Sequence, residues 1–195
     1  FIVITRDPRA VVNSYMENRW GLGTNAYTGA IRWRRETEIQ LAFQSAIPSS
    51  VLRLRYEDLV QDQRNTLEKI CEFLEVPFDE SMLAYASKKA FVIKSRENMN
   101  TFRAPDPDLA MKWRNKLSRH QIRVIDSVAG SVMPSTGYDL EGDHYNIPGW
   151  LVLWYRLHQA VIGEIQIQYR WRIARWSRTI RAWLARCSRM AGRAG

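Results

Sequence analysis

The chain is poor in the residues that build metal and redox centres. Two cysteines, Cys71 and Cys187, and three histidines, His120, His144 and His158, stand among 195 residues. None falls in a CxxC, HExxH or comparable spacing, so no metal site, dithiol chemistry or disulfide framework is expected. No stretch of 18 residues is free of charge, and no membrane-spanning helix is read. The first residues lack a basic n-region and a cleavage site, so no secretory leader is read there. Glycine is scarce too, at 10 residues. No glycine-rich loop carries a Walker lysine after a strand, and no Mg²⁺-ligating acid follows one, which argues against a phosphate or nucleotide kinase. What remains is a chain with 46% hydrophobic residues, enough for one domain or for one domain with an appendage. A cytoplasmic setting is expected.

Charge divides the chain in two. Residues 145–195 hold nine arginines and one acid, Glu164, a net of +8; the formal total is +9, so residues 1–144 carry 20 basic and 19 acidic groups, a net of +1. The body is nearly neutral and the tail is a cation. The tail alone therefore calls for an anionic partner or surface.

The body reads as alternating strands and helices. Phe1 to Thr5 is a short run rich in β-branched residues, the pattern of a buried parallel strand. Asp7 suits a helix N-cap and Pro8 the first helical position, and Val11, Val12, Tyr15 and Met16 repeat at helical spacing. Gly21 to Asn25 break that helix. A second helix is predicted over 28–46 and ends at Pro48. Residues 51–56 alternate as a second strand. Asp62 caps a helix in which Leu67, Ile70, Cys71 and Leu74 repeat at three and four residues, ending before Pro77. Residues 81–86 suit a short helix and 91–107 a loop. Ser118 and Gln121 form a capping box for a helix through Val128; residues 130–148 read as mostly loop. From Trp150 the chain is helical almost to its end. Tyr169, Ile173, Trp176, Ile180, Trp183, Leu184, Cys187 and Met190 share one face of that helix, and Arg175, Arg178, Arg181, Arg186 and Arg189 occupy the other.

The opening turn has the makings of an anion site. Arg6 stands at the carboxyl end of a strand, where α/β sheets bind ligands. The free N–H groups and positive dipole end of the following helix favour negative charge. The Arg6 guanidinium can grip a phosphate at two oxygens, and Ser14, two turns past Asp7, projects on the same side. Arg-Asp-Pro as a plain surface turn explains the same residues without a ligand.

The segment from Arg6 to Ser14 resembles the 3′-phosphate-binding segment of sulfotransferases that use 3′-phosphoadenosine 5′-phosphosulfate (PAPS). Tyr56, Glu57 and Asp58, after the second strand, are similar to that family's Tyr-Glu-Asp segment. Met111 to Arg114, before the Ser118 helix, resembles its C-terminal Lys-Trp or Arg-Trp cofactor loop. The three elements stand in family order over residues 1 to about 128. The resemblance implies a P-loop-NTPase-like α/β fold, here incomplete: a short parallel sheet with flanking helices over 1–144, followed by the amphipathic helical tail, 145–195. It implies transfer of a sulfonate from PAPS to a hydroxyl or amine acceptor, without a metal. It places the 3′-phosphate on Arg6, Ser14 and Arg19, the nucleoside against Tyr56, and Lys112 and Ser95 near the transferring group. Arg19 and Ser95 match the tyrosylprotein and bacterial branches. Arg103 lies in the same loop as Ser95. Glu57 and Asp58 look like a catalytic pair but suit anchoring of the helix that follows, and Trp33 suits the core.

The sequence departs from that family in one respect. The loop that wraps the 5′-phosphosulfate, and the general base, precede the Arg-Ser segment in the family and have no counterpart here. The expectation is that this chain is the carboxyl-terminal part of a longer protein, holding half a cofactor site and lacking the base, so that alone it is inactive. The rival is a non-enzymatic module acting through its cationic tail on a membrane surface or partner helix, built on a nucleotide-binding remnant, with the chain peripheral at the membrane. The single apolar stripe favours these occupants over nucleic acid, although a stripe of this kind also suits packing on its own domain.

Overall fold

The computed structural model describes residues 1–84, 106–141 and 145–191, with side chains described through residue 173 and at Trp176. In chain order the elements are β1 (Ile2–Thr5), α1 (Pro8–Asn18), α2 (Ala26–Ala46), β2 (Leu52–Arg55), α3 (Tyr56–Gln61), α4 (Gln63–Phe73), α5 (Pro107–Met111), α6 (Arg119–Ala129) and α7 (Gly149–Ala191). Single 3₁₀ turns occupy Pro48–Ser50, Glu80–Met82, Lys112–Asn115 and Pro134–Thr136.

The two strands pair in parallel, Ile2 opposite Leu52 and Thr5 opposite Arg55, with α1 and α2 forming the crossover. Both carboxyl ends therefore lie at one edge, where Arg6 and Tyr56 leave the sheet. Local chemistry fixes the helix starts. The Asp7 carboxylate accepts from the Arg9 N–H at 2.8 Å with Pro8 at the first helical position. Asn25 caps α2 by accepting from Thr28 N–H at 3.0 Å, which starts that helix two residues before the position its periodicity suggests. Asp62 caps α4 through Asn65 N–H at 3.1 Å, and the Ser118–Gln121 capping box opens α6. The strand expected through Tyr56 stops one residue earlier, since Tyr56 is already the first residue of α3. The loop expected to run through Pro107 gives way to α5, which Asp106 caps and Pro107 begins. Only the first part of the short helix expected at 81–86 is described, as a single 3₁₀ turn.

Helices α1, α2 and α6 form the packed layer. Val12, Ala26, Ala30, Val124, Ile125 and Trp113 meet in one buried cluster, and Trp33, Val132, Met133 and Tyr138 in a second. Gly29 sets the α1–α2 crossing, because a Cβ there would sit 3.0 Å from a Val12 methyl; a larger residue would wedge the helices apart. The β1 strand corrects its reading as fully buried. Ile2 and Ile4 are 38% and 48% exposed, because successive side chains alternate across a strand and the described residues cover only the opposite face, where Thr5 is buried.

The first turns of α7 dock on the body. Tyr155 is buried in the main cluster and stacks on Tyr27 at 5.7 Å between ring centroids. Gln159 accepts from Thr24 N–H at 2.8 Å and donates to Gly21 O at 2.6 Å, and Gln166 accepts from Gly21 N–H at 2.9 Å. Gly21 has φ +73°, and a Cβ there would lie 2.7 Å from the Gly163 carbonyl. Loop and helix touch backbone to backbone, which is why the helix break contains glycine. Among the described residues no helix is long and apolar enough to cross a membrane.

Candidate functional site

At the sheet edge Arg6 folds over Tyr56, its guanidinium carbon 4.5 Å from the ring centroid. This cation–π contact joins the ends of β1 and β2. One Arg6 amine donates to the Leu109 carbonyl of α5 at 3.3 Å, and the Arg6 carbonyl accepts from the buried Trp33 indole at 3.0 Å. Trp33 thus holds the backbone of the strand end as well as filling the core. The Arg6 Nε is buried and has no partner among the described residues.

Lys112 stands three residues beyond Leu109. Its ammonium lies 2.7 Å from the Glu17 carboxylate on α1, and Ser14 is one turn before Glu17 on that helix. The Ser14 hydroxyl accepts from the Asn18 side chain at 3.0 Å; its own hydrogen is not committed to an acceptor among the described residues. These contacts link four segments in an arc: the strand end with Arg6, the start of α3 with Tyr56, the turn after α5 with Lys112, and α1, which carries Ser14 and Glu17. Arg19 sits apart, exposed, as the left-handed C-cap of α1 (φ 51°, ψ 47°), where it has left the helical register of Ser14. Ser95 and Arg103 lie outside the described residues. Glu17 is a member of the arc that spacing does not reveal, since only the fold brings it to Lys112.

A buried polar cluster holds this arc from behind. Arg9, 3% exposed, donates to both Asp7 carboxylate oxygens, at 2.9 and 2.8 Å, and to the Asp139 carbonyl at 3.2 Å. Asp126 and Glu141 lie 3.9 and 3.7 Å from its other amine. Its guanidinium packs 4.4 Å from the Trp113 ring centroid, whose ring also carries Arg114 at 4.7 Å. Burial works against the Arg9 charge, but the hydrogen bonds and charge of Asp7, then the charges of Asp126 and Glu141, outweigh it and raise its pKa. Trp113, buried between two cations, anchors the turn that presents Lys112.

Glu57 is structural. Buried at the start of α3, it accepts from Asp7 N–H at 3.2 Å and from the Tyr138 hydroxyl at 2.5 Å, so it ties α3 to the opening turn. Asp58 beside it is exposed. Burial above all, then the hydrogen bond to Glu57 and its charge, raises the Tyr138 pKa above its ordinary value of 10.0. The folded state thus keeps a proton that the unfolded chain releases near pH 10, so this stabilisation is complete below that pH and is lost as pH rises above it. Urea titrations at neutral and strongly alkaline pH should show the fall, and Tyr138→Phe should make it shallower. An alkaline slope unchanged in Tyr138→Phe would contradict the assignment.

A cavity of about 480 Å³ opens elsewhere, lined by Gly21, Thr28, Arg32, Arg35, Ile39 and Gln159 among others. It includes none of Arg6, Ser14, Tyr56 or Lys112. No group of three or more His, Cys, Asp or Glu among the described residues is placed to hold a metal ion.

Comparison with known proteins bears on the same segments. The model of the sulfotransferase family matches residues 1–80, the part that contains Arg6, Ser14 and Tyr56. Protein-tyrosine sulfotransferase A of Caenorhabditis elegans is 25% identical over 166 residues, covering 78% of this chain and 43% of the relative. A putative protein-tyrosine sulfotransferase of the same organism is 29% identical over 153 residues, covering 71% of this chain and 56% of the relative. Among solved structures, the sulfotransferase domain from the curacin biosynthetic pathway superposes with a TM-score of 0.60 at 23% identity, covering 71% of this chain and 53% of that one. The sulfotransferase domain from the Synechococcus PCC 7002 olefin synthase gives a TM-score of 0.51 at 27% identity, with coverages of 74% and 50%. Over residues 1–80 this chain is similar to the sulfotransferase family. Its fold is the P-loop-like fold of sulfotransferase domains, present here as a two-stranded parallel sheet, its helices and a C-terminal helix. The chain spans about half the length of the curated relatives it matches.

Proposed function

We propose that this chain supplies the 3′-phosphate half of the donor site in a sulfotransferase that moves a sulfonate from PAPS to a hydroxyl or amine acceptor. The observation that carries the reading is the arc at the sheet edge, where a guanidinium on an aromatic ring, a hydroxyl with an uncommitted hydrogen and an ammonium follow one another beside a helix start. These groups fit the donor. The Arg6 Nε is buried without a partner among the described residues, and the Ser14 hydroxyl still has a hydrogen that none of them accepts. A phosphate takes both, and the positive end of α1 adds to them.

In this reading Arg6 and Ser14 hold the 3′-phosphate and Arg19 closes on it from the end of α1. Tyr56, already flat against Arg6, presents its edge or free face to the nucleoside. Lys112 exchanges the Glu17 carboxylate for an anionic oxygen of the donor and offsets the negative charge that builds on the leaving phosphate. Bound PAPS supplies the activated sulfonate. A base takes the acceptor's proton, while Arg6, Ser14, Tyr56 and Lys112 are engaged with the donor. Relatives named for protein tyrosine make a phenolic hydroxyl one acceptor class to try first.

Titration of the chain with adenosine 3′,5′-bisphosphate, followed by amide NMR, tests the reading. Saturable shifts are expected in residues 7–19 and 109–114. Shifts confined to the cavity beside Arg32 and Arg35, or none at all, would overturn it.

A further inference from the structure

We propose that α7 is a membrane-docking helix which lays an exposed apolar face on an anionic lipid bilayer surface. The proposal goes beyond the donor site and does not depend on it.

The face is built by the way α7 docks. Tyr155, Gln159, Gly163 and Gln166 turn toward the body, so the residues between them turn away from it. Trp150, Trp154, Leu157, Val161 and Ile165 recur every three or four residues on that outward side and are 52–72% exposed. Past the body Tyr169, Ile173 and Trp176 are also exposed, at 46–69%, on a line further round the helix, because at 3.6 residues per turn the outward line itself runs on into Gln168 and Arg172. The stripe therefore does not pack on its own domain wherever its side chains are described. Monomeric soluble proteins seldom leave so long a contiguous apolar surface in water.

Charge selects the occupant. After Glu164 the sequence holds eight arginines and no acid. A second copy laid in parallel along the helix would set Arg172 and the arginines that follow it in sequence against their own like. A bilayer rich in anionic headgroups meets both features together: aliphatic and indole side chains sink to the acyl boundary while guanidinium groups reach the phosphates. Tryptophan suits that boundary because its ring is apolar and its N–H polar. With no helix long and apolar enough to cross a bilayer among the described residues, the proposed placement is along the surface.

The test uses the whole chain and two vesicle compositions, phosphatidylcholine alone and phosphatidylcholine mixed with phosphatidylglycerol. Co-sedimentation at low salt is expected with the anionic vesicles, with a blue shift of tryptophan emission, and should weaken as salt is raised. Leu157→Gln combined with Val161→Gln alters only exposed positions, so the fold should survive, as circular dichroism can verify. This variant should bind anionic vesicles about tenfold or more weakly. Equal binding to both compositions, no sedimentation at low salt, or a variant that binds like the parent would each overturn the proposal. So would a dimer seen by light scattering that the same variant dissociates while vesicle binding is absent; the stripe would then be an interface between copies.

Discussion

Arg9→Met is expected to destabilise the chain by about 3–5 kcal/mol, the cost of breaking a buried ion pair from one side. Methionine keeps most of the length and the contact with Trp113, so little cavity forms. The loss is electrostatic. The Asp7 carboxylate, 5% exposed, would stay buried close to Asp126, 4% exposed, without the guanidinium that now spans them. The measurement is the urea midpoint followed by circular dichroism. Adding Asp126→Asn should recover part of the loss, because it removes one of the buried negative charges that face each other across Arg9. An unchanged midpoint in Arg9→Met would show that the cluster behind the sheet edge does not hold it together.

The second large effect concerns the arc. Arg6→Ala and Ser14→Ala should each weaken binding of adenosine 3′,5′-bisphosphate by about 1.5–3 kcal/mol, as expected for hydrogen bonds to a charged group, or about tenfold to a hundredfold in Kd. Arg6 is only half-buried and Ser14 lies on the partly open side of α1, so both variants should keep their urea midpoints. That contrast with Arg9→Met separates the two arginines of the opening turn. Arg9 is paired with Asp7 and flanked by Asp126 and Glu141, whereas Arg6 rests on a ring and a single carbonyl. Isothermal titration with the folded variants reads the difference, and undiminished affinity in both would refute the roles given to them.

The two arginines also show what a sequence discloses. Asp7, Pro8, Ser118 and Gln121 act within a few residues of themselves, so the helix starts they set could be read directly. The first strand was legible from its β-branched run and the second from its alternation. Arg9 was not, because its partners Asp126, Asp139 and Glu141 are more than a hundred residues away and only folding assembles them. The Glu57–Tyr138 tie and the Lys112–Glu17 pair were hidden for the same reason. Tyr56 was read as the end of a strand because alternation continues up to it, yet the chain turns into α3 at that residue. The stretch 150–165 escaped notice as a separate apolar face, since α7 is apolar on two sides there and only the docking of Tyr155 and Gln159 shows which side is left open. Periodicity tells which residues share a face and is silent on what covers it. That Arg6, Ser14, Tyr56 and Lys112 serve one site is implied by the resemblance, not by spacing.

The account depends on a 3′-phosphate held at the end of β1. The most direct measurement is the ratio of affinities for adenosine 3′,5′-bisphosphate and adenosine 5′-monophosphate, taken on the parent chain and on Arg6→Ala. The parent should favour the bisphosphate, and the preference should fall toward unity in the variant. Equal affinities in the parent, or a preference that survives the loss of Arg6, would contradict it.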